Sequence, residues 1–131
     1  IPASTRKTFA VSRDHGDFNF WNLSGSIGFV DLMVREEIVP REGATPFVQH
    51  DYLFQDMEQA RALVSSVIGI EPQYQRKGYA LFLKKHTEQI AREWGLDIIV
   101  ADTIQNPIMR ELNAKLGYVL YDSGMRAVKR L

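Results

Sequence analysis

The sequence predicts a mixed α+β domain: one mainly antiparallel sheet with a βαβ core and a C-terminal hairpin. Three observations predict it. The first half alternates aromatic and β-branched runs with turn residues. The second half reads strand, helix, strand, helix, with apolar residues at helical spacing in two places. Two short strand-like runs across a turn then close the chain. At 131 residues, 45% of them hydrophobic, one domain over 1–131 with a sizeable core is expected.

In chain order, Phe18-Asn19-Phe20-Trp21-Asn22-Leu23 is an aromatic-rich strand, followed by a Ser24-Gly25-Ser26 turn. Gly28 to Val34 favours a strand, but the Arg35-Glu36-Glu37 that follows keeps a helix open. Pro40 to Pro46 is a loop around Gly43, and Phe47 to Phe54 a third strand. Asp56 to Gln59 reads as a turn into a long strand, Ala62 to Ile70, stopped by Pro72. No amphipathic helix precedes residue 56 in this reading, so the front of the domain is short of helices.

Tyr79, Leu83, His86, Ile90 and Trp94 then mark the apolar face of a helix over 78–94, ended by Gly95. Lys84, Lys85, Glu88, Arg92 and Glu93 fall on its other faces. Leu96 to Ala101 is a short buried strand. Asn106 caps a second helix with Pro107 at its first position, and Met109, Leu112 and Leu116 form its stripe up to Gly117. Tyr118–Tyr121 and Met125–Val128 are strands across Asp122-Ser123-Gly124. The unit 62–70, 78–94, 96–101 requires its two strands to be parallel.

Composition excludes several classes. Without cysteine there is no disulfide framework and no thiolate metal site, which fits a reducing, cytoplasmic setting. The three histidines are dispersed, so no metal is expected; His86 reads as a boundary residue of the helix. No apolar run approaches a membrane span. Net charge is zero, which argues against a nucleic-acid binder by bulk charge. The charge is nevertheless split: residues 1–75 carry a net of −4 and residues 76–131 a net of +4. A basic second half suits phosphates and an acidic first half suits an amine. Ile1 in first place suits a processed product or one piece of a longer polypeptide.

The chemistry centres on Gln75-Arg76-Lys77-Gly78-Tyr79-Ala80. The N–H groups at a helix start are unpaired and lie at a positive dipole end. Gly78 would let a phosphate approach the backbone, with Arg76 and Lys77 adding charge. There is no G-x-x-x-x-G-K-[ST] and no G-x-G-x-x-G. Taken alone, the stretch is a solvated basic helix cap. Tyr79 alone is a packing residue under the helix start, and Phe18, Phe20 and Trp21 are packing aromatics.

The wider stretch Ile68 to Leu83 resembles the coenzyme A-binding segment of the GNAT-fold N-acetyltransferase superfamily. That segment is an apolar strand, a proline, an aromatic, then Gln/Arg-x-x-Gly-x-Gly/Ala opening a long helix. Asn106 to Tyr118 resembles the second signature of the same family, an asparagine before a helix that ends in a leucine-glycine-aromatic step. Both occur in the family's order and spacing, over roughly residues 62–131, with a coenzyme A-binding core at about 62–118. The resemblance implies acetyl-CoA (acyl-CoA) as co-substrate and direct attack of a primary amine on the thioester. Gln75, Arg76, Lys77, Gly78, Tyr79 and Ala80 would hold the pyrophosphate. Ile68, Gly69 and Ile70 would pair with the pantetheine arm, with a backbone amide of this strand as oxyanion donor. Asn106 and Asn113 complete the expected cofactor set.

Two departures bear on catalysis. The family often carries, in the second helix, a tyrosine that protonates the leaving thiolate; the matching slot here is Asn113, which donates hydrogen bonds but is no acid. Relatives that acetylate lysine place a glutamate base on the fourth strand; the matching slot is near Val64, beside Ser65 and Ser66. His50, Asp51, Asp56 and Glu58 are the nearby titratable groups in sequence. The expected activity is an acyl-CoA-dependent N-acyltransferase, with an amine of a small molecule or protein as acceptor. The alternative is a non-catalytic GNAT-fold binding or assembly module. A homodimer or a place in a larger complex fits either.

Overall fold

The computed structural model describes residues 6–12, 18–20, 26–44, 56–70, 72–102, 106–121 and 126–131. Among them a seven-stranded sheet runs in the order β2-β1-β3-β4-β5-β7-β6. Strand β1 (Arg6–Ser12), which the sequence reading leaves out, pairs antiparallel with β2 (Phe18–Phe20) and β3 (Ser26–Pro40). Strand β3 pairs antiparallel with β4 (Met57–Ile70) from Gly28↔Ile70 to Pro40↔Met57. The crossover helix α1 (Tyr79–Glu93) leads to β5 (Ile98–Asp102), which lies parallel to β4 as the βαβ reading requires. Helix α2 (Pro107–Lys115) precedes the antiparallel pair β6 (Val119–Leu120) and β7 (Arg126–Arg130), with β7 against β5.

Two boundaries differ from the sequence reading, for one reason. The strand expected over 28–34 runs on through Arg35-Glu36-Glu37 to Pro40, which removes the helix alternative, and the turn expected at Asp56–Gln59 is mostly strand, because β4 begins at Met57. Ion pairs across the sheet hold both polar stretches extended. Glu37, 7% exposed, pairs with Arg35 and accepts from Arg126 of β7 at 2.8 Å. Glu58 pairs with Arg130 of β7 at 2.7 Å and with Arg41 at 3.2 Å. The turn at Gly43, φ 80°, begins the expected loop. The strand expected over 47–54, the rest of that loop, residues 21–25 and the 122–124 turn lie outside the described residues.

The sheet is buried on both faces. On one, Val30, Leu32, Leu63, Ile99 and Ala101 pack with Leu83, Ile90 and Ala91 of α1 and with Tyr118. On the other, Val39, Ala62, Val64, Ile98, Val100, Tyr121 and Val128 form a second cluster. Strand β5 feeds both, which explains its continuous apolar run. No helix precedes residue 72 among the described residues.

Helix α1 departs from its expected face. Leu83 and Ile90 are buried, and Tyr79 and Trp94 pack against the core at its edge. Lys84, expected on a polar face, is 2% exposed, and Thr87 is buried with its hydroxyl donating to the Leu83 carbonyl at 2.8 Å. His86 is half-buried and stacks on the exposed Phe82. The buried face is therefore centred on the row through Leu83, Lys84, Thr87 and Ala91.

Both long helices end in the same way. After α1 the Gly95 and Leu96 N–H groups donate to Arg92 and Ala91, with Gly95 at φ 72°. After α2 the Gly117 and Tyr118 N–H groups donate to Ala114 and Asn113, with Gly117 at φ 90°. These are Schellman motifs, which need a left-handed residue at the turn. The Leu116-Gly117-Tyr118 step is thus a helix stop that fixes Tyr118 beside Asn113.

Candidate functional site

The site grows from a defect in the sheet. Val67 is opposite Asp31 while Ser65 is opposite Leu32, so Ser66 is an extra residue, a β-bulge. The parallel register Leu63↔Ile99, Val64↔Val100, Ser65↔Ala101 stops at the same level. Beyond it β4 continues to Ile70 paired to β3 alone. Its other edge faces the gap where β4 and β5 part.

That gap opens into a cleft of about 440 Å³ between the end of β4, the loop before α1, and α2. Ile68, Gly69, Ile70, Gln75, Arg76, Gly78, Tyr79, Ala80 and Asn106 all line it. Residues far apart in sequence thus converge on one cleft. Lys77 and Asn113 do not line it. The Lys77 ammonium lies 5.9 Å from the Tyr74 ring centre, and Asn113 is buried behind the cleft.

The loop is held by its own groups. Gln75 donates from Nε2 to the Ile70 carbonyl at 3.0 Å, and its N–H reaches the Pro72 carbonyl at 3.3 Å. Tyr74 and Tyr79 meet edge to face at 6.2 Å. Arg76 is left-handed at φ 62°, uncommon outside glycine, and Gly78 follows at φ 90°. Left-handed residues of this kind turn backbone N–H groups into anion-binding concavities. A Cβ on Gly78 would meet nothing within 4 Å, so the glycine is there for its φ, and the space above it is open. No side chain caps α1 and no acidic residue sits in its first turn. Its leading N–H groups and positive dipole end are uncompensated, which fits a pyrophosphate.

The far wall is α2, through Ile108, Met109, Glu111, Leu112 and Lys115, which the sequence reading did not place in the site. One signal was available: Ile108, a large apolar residue in the first turn, is 57% exposed and belongs to no core. Asn106 caps α2, accepting from the Ile108 N–H at 3.0 Å, and lines the cleft at the same time.

The structure redistributes the catalytic candidates. Val64 is fully buried in the second core cluster and Ser65 is buried. Asp56 and Glu58 sit by Arg41, where β4 meets Pro40, at the opposite end of a 14-residue strand from the cleft. They are not beside the bulge. His50 and Asp51 lie outside the described residues. A carboxylate the sequence reading passed over does stand at the bulge: Asp31, 5% exposed and in register with Val67. It lay inside an apolar strand, and only the β3–β4 register brings it there. Among the described residues no group of three His, Asp or Glu could hold a metal, and no helix is long and apolar enough to cross a membrane.

Residues 27–118 match the family model described as the Acetyltransferase (GNAT) family, and the chain belongs to that family. No curated protein matches it in sequence. Among solved structures it is similar to a tyrosine-to-phenylalanine mutant of the AtaT toxin, with TM-score 0.67 and 11% identity over 94% of this chain and 66% of that one. It is also similar to AtaT complexed with acetyl-methionyl-tRNAfMet, with TM-score 0.59 and 10% identity over 86% of this chain and 68% of that one. A third is the aminoglycoside N-acetyltransferase AAC(6')-Iy in complex with CoA, with TM-score 0.53 and 18% identity over 78% of this chain and 66% of that one. This chain spans about two thirds of the length of each. The family uses acetyl-CoA, and the fold is that of its members.

Proposed function

We propose that the chain is an acetyl-CoA-dependent N-acetyltransferase that passes the acetyl group directly to a primary amine of a small molecule or a macromolecule. The observation that carries this reading is the convergence of the β4 tail, the Gln75–Ala80 loop and Asn106 on one cleft. In it, the loop and the α1 N-terminus take the pyrophosphate, and the unpaired edge of β4 takes the pantetheine. In this reading a backbone amide at the Ser66 gap donates to the thioester carbonyl, where charge develops. Asp31 is the carboxylate nearest in register to that gap and is the proposed proton acceptor for the attacking amine. Acceptors in this fold differ: one neighbour is seen with an acetylated aminoacyl-tRNA and another is an aminoglycoside transferase. Both carry amines, and the acidic first half of this chain suits a cation.

A second reading, a GNAT-fold module that holds coenzyme A without transfer, is favoured by one observation: the usual base slot is the buried Val64. Calorimetric titration with acetyl-CoA tests what the readings share, and absence of binding ends both. Thiol release is then followed with polyamines, lysine peptides, an aminoglycoside and an aminoacyl-tRNA. Amine-dependent release supports the transferase. Tight binding with no release above hydrolysis supports the module.

A further inference from the structure

Both helices that line the cleft carry a buried polar residue one turn along from a lining residue. On α1, Ala80 and Leu81 line the cleft; Lys84, four and three residues on, is the next residue inward on that face. On α2, Met109 lines it, and Asn113 is four residues further along. Lys84 and Asn113 are each 2% exposed, and both contact Tyr118. The Lys84 ammonium is 5.2 Å from the Tyr118 ring centre, and the Tyr118 N–H donates to the Asn113 carbonyl at 2.9 Å. The Asn113 side-chain Oδ1 and Nδ2 and the Tyr118 hydroxyl are buried without a hydrogen-bond partner among the described residues. Three polar groups thus stand buried behind the cleft with unmet hydrogen bonds, a costly arrangement that calls for a missing partner.

We propose that the sulfur of coenzyme A, entering from the cleft, meets this buried cluster, with Asn113 donating an amide N–H to it and Lys84 supplying the proton that turns the departing thiolate into a thiol. The proposal rests on the acyl-CoA reading above. The acceptor nitrogen forms its bond to the acyl carbon, the carbon–sulfur bond breaks, and the electron pair stays on sulfur. A proton passes from the Lys84 ammonium to the sulfur, leaving a neutral amine. The acceptor nitrogen gives its proton up to Asp31, which passes it on to solvent, and Lys84 is reprotonated from solvent. The amide at the usual tyrosine slot then has a use: it orients the sulfur, and the acid comes from the facing helix.

Burial pushes the Lys84 ammonium down to about 8, close to an ordinary thiol, which suits transfer between them. The other charged groups around the cluster are Glu88, one turn along α1, and Lys129 of β7. Glu88 is engaged by Lys129 and Arg92, and Lys129 lies 6.0 Å from the Tyr118 ring centre. Burial and Glu88 raise the Tyr118 phenol, so it stays protonated.

The test reads the thiol itself and needs no acceptor. Free coenzyme A is bound to the whole chain and its thiolate absorbance is titrated in the ultraviolet. The bound thiol should ionise about one pH unit below the free one, a roughly tenfold larger thiolate fraction beside the cation. Lys84→Met should abolish that lowering while calorimetry still shows binding, and Lys85→Met, at the exposed neighbour, should leave it in place. An unperturbed or raised thiol in the unmodified protein overturns the proposal, even if Lys84→Met does not fold. So does a lowering that survives Lys84→Met, or one lost equally in Lys85→Met. Absence of coenzyme A binding overturns the acyl-CoA reading as well, whereas binding with an unperturbed thiol overturns only this one.

Discussion

The Lys84 ammonium lies 5.2 Å from the centre of the Tyr118 ring, with no carboxylate paired to it among the described residues. Most buried lysines are paired, so this one carries an energetic signature. Desolvation lowers its ionisation from 10.5 to about 8. Between those values the folded protein has released the proton and the unfolded chain still holds it. Unfolding then takes up a proton, so stability rises with pH across that window. At about 1.4 kcal/mol per pH unit the rise is about 3 kcal/mol. Urea unfolding of the unmodified chain and of Lys84→Met, at pH 7.5 and pH 10, checks it. The stability difference between the two should shrink as pH rises. A constant difference would show that the amine is not desolvated in the folded state.

Gly78 separates backbone strain from charge in the proposed cofactor loop. Its φ is 90° and a Cβ there meets nothing, so Gly78→Ala should cost only conformational strain, about 1–2 kcal/mol of stability. Gly78→Glu adds an anion at the proposed pyrophosphate position, and acetyl-CoA affinity should fall at least about tenfold further, or roughly 1.4 kcal/mol. Thermal unfolding reads the first effect and calorimetry the second. Equal acetyl-CoA affinities in the two variants would count against a phosphate over this glycine.

Glu37 ties the long β3–β4 pair to β7. It is nearly buried between Arg35 and Arg126, and Arg126 also meets Asp102 at 3.3 Å. Glu37→Gln keeps the shape and removes the charge. It should destabilise the protein by about 3 kcal/mol, as breaking a largely buried pair does. The urea midpoint should drop with the slope unchanged. A loss below about 1 kcal/mol would make the pair an ordinary surface one.

Much of the candidate cofactor side was legible in the sequence because it is local. Gly78, Gly95 and Gly117 each sit where the chain needs a left-handed residue, and Asn106-Pro107 is a helix start whatever surrounds it. The βαβ unit followed from periodicity and from the handedness of crossovers. The proposed acceptor side was not legible. Asp31 looked like one polar residue in an apolar strand until the register set it opposite Val67 at the bulge. Met57 to Gln59 looked like a turn, because the pairing that holds Glu58 extended comes from Arg130, 72 residues away.

Lys84 marks the boundary most clearly. Its helix was determined by the sequence alone, since propensity and spacing are properties of neighbouring residues. Its burial was not. A stripe of apolar residues fixes a helix face only to within a residue or so, and the rotation of α1 about its axis is set by how it beds onto β3, β4 and β5. That rotation brought the row of Leu83, Lys84 and Thr87 inward and left Phe82 and His86 towards the outside. The sequence by itself determined that a phosphate-bearing cofactor is expected and which loop is proposed to hold it. Only the tertiary structure decided what lies buried behind the cleft, because Lys84 and Asn113 meet at Tyr118 through packing between elements that no local pattern encodes.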